Sequence, residues 1–455
     1  MKHMNMRRRL AALSATTLTL GLVASGASVL SAGASGTDGV NTSSKTISIG
    51  GTFPLSGLAS AGFQDVAKAA LATFDYVNSH GQVNGWSVDY KVLDDCYNLG
   101  VCGAGKNTDA QTQALVNTPV FATVGSLGTA TQQGEISYLK TNNTPQLFVS
   151  SGAHYWNDPT SNPNLFGFQT NYLAEGKIFG TYISSKFKGK KVGFLGQNDD
   201  FGQDGLQGLK NGGVTPATAD QLTYNSTDVV FNQGTFRTSM AKLQSDKVAV
   251  VVLDTIPQAT KLALDAAKSL GFKPQFIISG VGSDPQTVND VNEKNAITFT
   301  FFNATNSTSN KASAWNAWAS KVLTAESGKT VNGVKLATFT SKSILSGNQL
   351  YGVAIAAGFI EALNKVTANG GTPTRSNFVS ALTSNTLSTP AIVPLQYSST
   401  NHQGLTGGYL VKVTATGVST GATKAVNTTV YSVNPTTQAL TTSKLTNAAV
   451  PSEFK

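Results

Sequence analysis

Asp199 and Asp200 stand side by side within VGFLGQNDDFGQDGL, residues 192–206, where a short apolar run gives way to a polar loop. Adjacent carboxylates can share a divalent cation, work as an acid and base, or cap a helix. A cation site needs several oxygen ligands in a local pattern, and this loop does not carry the EF-hand spacing. Acid–base chemistry needs a partner group and a nucleophile, and neither accompanies the pair. The remaining reading is a cap. One of the two accepts backbone N–H bonds at the start of a helix over FGQDGL, where negative charge also suits the helix dipole.

The other reactive side chains are sparse. The histidines (His3, His80, His154 and His402) are scattered, no H-E-x-x-H occurs, and no zinc set is readable. No metal and no cofactor are expected, and the chain does not read as an enzyme. Cys96 and Cys102, in DDCYNLGVCGAGKN, are the two cysteines. An exported chain with two cysteines this close is expected to pair them into a loop staple, a free or metal-binding pair being the alternative.

The elements that must position such residues alternate. TISIGG reads as a strand, ended by Pro54. QDVAKAALATFDYVNSHG places Val66, Ala70, Phe74 and Val77 on one helical face, with Gly81 as the stop. WSVDYKVLDD is a strand, TDAQTQALVN a helix, PVFATVG a strand, TQQGEISYLKTN a helix and PQLFVSSG a strand. After Gly167 the pattern restarts, with strands at KKVGFLG, VAVVVLD and PQFIISG. Between them lie helices at EGKIFGTYISSKF, GQDGLQGLKNG, FRTSMAKLQSD and PQATKLALDAAKSLG. Such alternation predicts two α/β units, each a parallel sheet with helices on both faces. The tail from about Thr414 is rich in Thr, Ser and Val, which suits strands or a loosely attached end.

In open parallel sheets, ligands bind beyond the carboxyl ends of the strands. Here those ends are PLSG (54–57), GSLGTAT (125–131), SSGAHYW (150–156), QNDDF (197–201), DTIP (254–257) and SGVGSD (279–284). Their hydroxyls, glycines and aromatics suit a small ligand. They supply Ser56, Ser126, Thr129, Tyr155, Trp156, Asp254, Thr255 and Asp284 as candidates. Ser126, Thr129 and Thr131 also precede a helix, so one of them is expected to be an N-cap. His154 shows no partner in the sequence.

Composition narrows the class. At 455 residues the chain is long enough for two domains. Charged residues make up 13%, about half the usual share of roughly 25%. Of the 33 basic residues, Lys2, Arg7, Arg8 and Arg9 lie in the first 34, leaving 29 against 24 acidic ones. So mild and scattered an excess carries no nucleic-acid footprint. MKHMNMRRRL followed by LAALSATTLTLGLVASGASVL, with Ala32-Gly33-Ala34 after it, reads as a cleavable signal peptide over residues 1–34. Residues 35–45 read as a linker. No later run approaches a membrane span, so the mature chain is expected outside the cytoplasm, without a transmembrane segment and as a monomer.

From about Lys45 to Gly408 the chain resembles type I periplasmic binding proteins of the leucine/isoleucine/valine-binding family, the extracytoplasmic receptors of ABC importers. The resemblance rests on IGGTFPLSG, HGQVNGWSVDYKVLDD, LGQNDDFGQDGLQGLK, LYGVAIAAGFIEALNK and PLQYSSTNHQG, in that order. It implies an α/β fold of two doubly wound parallel-sheet lobes, residues 46–167 plus 302–395 and residues 168–299 plus 396–455. Three crossing segments join them, near Phe166–Thr170, Ile297–Phe302 and Pro394–Ser399.

The resemblance also implies a small-molecule solute between the lobes, and a permease and its ATPase as indirect partners. A ligand carboxylate is gripped from the loop of Thr129 and the backbone of Gly152 and Ala153, and Phe201 occupies a position that often carries an aromatic facing the cleft. The acid that holds an ammonium in amino-acid receptors aligns with Gly280, leaving Asp254 and Asp284 as substitutes. A small, partly apolar carboxylate or amide-like solute is therefore favoured, with branched-chain amino acids as one option. A secreted or surface sensor on the same fold is the alternative.

Overall fold

The computed structural model describes residues 38–81, 83–283, 295–303, 313–415, 422–446, 449–451 and 454. The signal peptide expected over residues 1–34, and Asp284, lie outside them. Two large sheets carry the architecture. In the first, strand Thr46–Phe53 pairs in parallel with Ser87–Asp94 on one side and Thr123–Val124 on the other, and Gln146–Val149 and Leu165–Gly167 extend the sheet. The expected linker is partly sheet: Val40–Asn41 pairs antiparallel with Thr46 and Ile47.

The helix assigned to Ser60–His80 is non-helical at Ala61 and Gly62, then buries Val66, Ala70, Phe74 and Val77 as their spacing predicts. It packs along the late helix Gly347–Thr367. A Cβ at Gly352 would stand 2.1 Å from the Val66 carbonyl oxygen, so glycine sets how closely the two helices approach. Thr108–Asn117 and Thr129–Thr141 are the helices expected between the later strands.

The second sheet runs Gln221–Tyr224, Val192–Gln197, Val250–Asp254, Gln275–Ile278 and Ile297–Thr300, all parallel. Gly407–Ala415 then joins antiparallel, followed by Thr429–Val433 and Leu440–Lys444, while Ala422–Ala425 also pairs with Gly407–Ala415. Val250–Asp254 is buried at every position, which is why its sequence is a continuous apolar run rather than an alternation. Gln221–Tyr224 was not anticipated. Of its four residues only Tyr224 is buried, so it gives almost no apolar signal.

Two connections between the sheets run at residues 168–171, overlapping the expected Phe166–Thr170, and at residues 301–303, because most of the expected Ile297–Phe302 is itself a strand of the second sheet. The third comes later than 394–399. Leu395–Ser398 and Asn401–Gly404 form a hairpin that pairs with Thr386–Leu387, and only residues 405–406 lead into the second sheet. The polar run SSTN (398–401) makes that hairpin turn before the chain crosses. Among the described residues, no helix is long and apolar enough to cross a membrane.

Candidate functional site

The site begins with how two helices of the second lobe meet. Tyr172–Lys186 and Asp200–Asn211 are drawn together by glycines on both partners. A Cβ at Gly176 would stand 2.3 Å from the Gly205 carbonyl oxygen, and one at Gly208 would stand 2.3 Å from that of Leu173. Asp199 caps the second helix, accepting from the Phe201 N–H at 3.0 Å, and its other oxygen accepts from Gln197 at 2.7 Å. The aspartate pair is thus a cap, as the spacing predicts. Among the described residues no group of His, Cys, Asp or Glu could hold a metal ion. The close helix contact leaves Phe201 against Tyr172, with ring centroids 4.4 Å apart.

A cavity of about 120 Å³ lies where the strand ends of the two sheets face each other. Aromatic side chains are prominent in its walls, with Phe63, Tyr97, Tyr172, Phe201, Phe299 and Tyr351 among them. Polar groups line it as well. Thr129, the first residue of its helix, has its hydroxyl 2.8 Å from that of Ser151, and Ser150 lines the cavity beside Gly128. The start of that helix offers backbone N–H groups and a favourable dipole to an anion.

Glu175 lies at another part of the wall. It is 4% exposed and accepts from the Gly280 N–H at 2.8 Å. Burial pushes its carboxyl up to about 7, the Gly280 bond partly opposing this. Asp254 is buried close enough for Glu175 to add to its own raised pKa, for which burial is the larger cause. Its carboxylate occupies the space where a Cβ at Gly205 would sit.

Of the residues expected at the site, Thr129 and Phe201 line the cavity. The others have different work. The Ser56 hydroxyl donates to Asp94, which also pairs with Lys106 at 2.8 Å. Ser126 accepts from the Thr52 N–H at 3.1 Å. The Gly152 carbonyl accepts from the Tyr172 N–H at 2.8 Å, Ala153 donates to the Ser151 hydroxyl, and Tyr155 donates to the Thr129 carbonyl. Trp156 is fully buried against Tyr155, Asp254 lies behind the wall, and Thr255 bonds Thr260. Each of these is local support for the cavity rather than its lining.

Tyr172 and Glu175 were missed. Both sit in the first turn of the helix that follows a crossing segment, three positions apart and so on one face. An acid in a first helical turn already has an ordinary explanation in the dipole, which hid this one. Gly100–Lys106 has the Gly-x-x-x-x-Gly-Lys spacing of a phosphate loop. Yet Asn107 follows where that loop carries Ser or Thr, Lys106 is held by Asp94, and Cys102 is bonded to Cys96. That stretch is a stapled turn.

A family model described as periplasmic binding protein matches residues 46–422. No curated protein matches the sequence. Among solved structures, a branched-chain amino acid ABC transporter from Thermus thermophilus with bound valine is 17% identical, with a TM-score of 0.66 over 84% of this chain and 96% of that one. A solute-binding protein from R. palustris in complex with benzoate is 14% identical, with a TM-score of 0.64 over 84% and 95%. A fatty acid ABC transporter substrate-binding protein from Thermomonospora curvata is 18% identical, with a TM-score of 0.68 over 85% and 92%.

Proposed function

This chain belongs to the periplasmic binding protein family, and from that premise we propose that it is the extracytoplasmic receptor of an ABC importer, capturing a small, partly apolar solute with a carboxylate or amide end. It is a binding protein, not an enzyme. The observation that carries the reading is the cavity, which takes Thr129 from the first lobe and Phe201 from the second, both just beyond strand ends.

Size and polarity narrow the solute. An engineered cavity of roughly 150 Å³ holds a benzene ring, so about 120 Å³ suits one ring or a short branched chain. A volume of this size favours such a solute over a long fatty acyl chain. No Lys, Arg or His lines the cavity among the described residues. An anionic end is therefore received by the hydroxyls of Thr129 and Ser150 and the helix N-terminus, while the aromatic walls hold the apolar body.

The test is a thermal-shift screen of amino acids, aromatic and aliphatic acids, amides and urea, followed by calorimetry on each hit. A true ligand at about 100 times its dissociation constant adds about 2.7 kcal/mol of stability. Thr129→Ala is expected to weaken every hit that has a carboxylate. Hits confined to long-chain acids, or Thr129→Ala affinities equal to the native ones, would overturn the reading.

A further inference from the structure

We propose that the end of the second sheet opposite the cavity is a docking surface for a linear polymer of phosphate groups. Held there, the protein keeps its cavity free, so the inference stands whichever solute the cavity takes.

The basic residues are scattered along the sequence, but the fold gathers them. The strands from Val192 to Thr300 are parallel, so the loops that enter them share one end. Lys188, Lys190 and Lys191 lie in the loop before Val192–Gln197, Lys247 before Val250–Asp254, and Lys273 before Gln275–Ile278. The helices between the strands end at the same place, with Lys186, Lys210, Lys242 and Lys268 in their last turns. Lys412 pairs with Ile297 at the start of its strand, and Lys424 lies beside it on the next strand. Acids are scarce. Among the described residues of these loops and helix ends they are Asp220 and Asp246, and both are spent: Lys191 lies 3.1 Å from Asp220, and Lys242 pairs with Asp246. No acid pairs with Lys186, Lys188, Lys190, Lys247 or Lys273 among the described residues, and all five are exposed.

Helix dipoles explain part of this pattern. They favour lysines in last turns and acids such as Glu175, Asp200 and Asp228 in the first turns at the other end. They do not explain the lysines of the loops and strands. Lys412 and Lys424 stand directly opposite each other across an antiparallel pair, where like charges destabilise a sheet. A groove of about 450 Å³ also opens here, between residues 183–192 and 213–217. Lys188, Lys190 and Lys191 line it, and no acid does.

The rest of the surface narrows the partner. Lysines offer mobile point charges, which suit repeated phosphates without a fixed geometry. The nearest rings, Tyr182 and Phe187, are half-buried, so bases find no exposed platform to stack on. The exposed large apolar side chains among the described residues are Leu58, Val101 and Phe231, none of them at this end, so nothing is placed to insert into a bilayer. A groove with charges along it fits a chain of phosphates better than either.

The experiment measures binding of long-chain inorganic polyphosphate to the full protein by fluorescence anisotropy over a range of salt. One variant combines Lys186→Gln, Lys188→Gln and Lys190→Gln. A control removes the same charge from the first lobe through Lys45→Gln, Lys335→Gln and Lys342→Gln. All six side chains are exposed, so both proteins are expected to fold, and matching melting temperatures verify it.

Native protein is expected to bind polyphosphate, with log affinity falling against log salt by roughly 0.7 for each lysine–phosphate contact. The second-lobe variant is expected to bind at least ten times more weakly and to flatten that slope by about 2. The control is expected to change affinity less than twofold. Equal losses in the two variants would overturn the inference, because binding would then follow net charge and not this surface. So would the absence of polyphosphate binding at every salt concentration. Tighter binding to phosphatidylglycerol vesicles than to polyphosphate would overturn it in favour of a bilayer.

Discussion

His154 Nδ1 lies 2.8 Å from Asp204 Oδ1, and the His154 backbone N–H donates to the other oxygen of the same carboxylate at 2.8 Å. The first residue follows a strand of the first sheet; the second belongs to the helix Asp200–Asn211 beside the second. The pair therefore clasps the two lobes. The bond to Asp204 raises the imidazole pKa, with partial burial opposing it. A raised folded pKa gives stability that is fully present below the unfolded value, near 6.5, and is lost as pH rises through the folded one. The imidazole is about half exposed, so the gain is limited to about 0.2–1 kcal/mol. The melting-temperature difference between native protein and His154→Gln is expected to shrink between about pH 5 and about pH 8. A difference that stays constant across that range would rule out the ionic part of the clasp.

The glycine contact between Tyr172–Lys186 and Asp200–Asn211 predicts an unusual sensitivity to the smallest substitution. Gly176→Ala and Gly208→Ala each place a methyl group 2.3 Å from a backbone oxygen. Each is expected to cost about 1–3 kcal/mol in urea unfolding. The double variant should cost less than the sum, because parting the helices once relieves both contacts. Since the same helices carry Glu175 and Phe201, solute affinity should fall as well. Unchanged unfolding midpoints would mean that the helices do not approach this closely.

Much of the fold was legible because burial leaves periodic marks. Val66, Ala70, Phe74 and Val77 recur at helical spacing and are buried, and the valine run before Asp254 is a central strand. That one of Asp199 and Asp200 caps a helix was readable as well, since capping is a local matter. The late third crossing was not: whether YSSTNH turns or crosses depends on the pairing of the strand before it with Thr386 and Leu387, and Thr386–Leu387 is too short a strand to leave a periodic mark. The site was the least legible part. Strand ends located the cavity, but which side chains enter it depends on helix packing. Asp254 sits at a strand end yet stays behind the wall, whereas Glu175 reaches the cavity from a helix.

Cys96 and Cys102 form a disulfide with a sequence separation of 6. A loop this short removes little entropy from the unfolded chain, so replacing both residues with alanine is expected to cost about 2 kcal/mol. The bridge also props the PLSG turn, since a Cβ at Gly57 would stand 2.7 Å from the Cys102 sulfur. Proteolysis in the Leu55–Leu58 stretch should therefore quicken in the double variant. Intact-mass measurement of unreduced protein should detect no alkylatable thiol, and two free thiols would refute the pairing.

The end of the chain returns to the lobe from which the strands began. Leu440–Lys444 is an outer strand of the second sheet, yet Phe454 is buried against Trp315 and Trp318. Both tryptophans lie on the helix Ala314–Ala325, which packs on Ser60–His80 in the first lobe. Trp318 donates its indole N–H to the Phe454 carbonyl at 2.5 Å, and the Ser388 hydroxyl donates to the Ala449 carbonyl at 3.3 Å. Phe454 and Ala449 lie beyond residue 422, where the family match stops, and both reach residues inside it. Burying a phenylalanine contributes about 1.5–3 kcal/mol, and Phe454→Ala is expected to lose about that much. Ending the chain after Lys444 should do the same and also expose the two indoles, giving red-shifted tryptophan emission and stronger iodide quenching. Because the segment links a second-sheet strand to a first-lobe helix, the shortened protein without solute should also show a larger radius in small-angle scattering. If stability, quenching and radius all match the full chain, the tail is not a tie between the lobes.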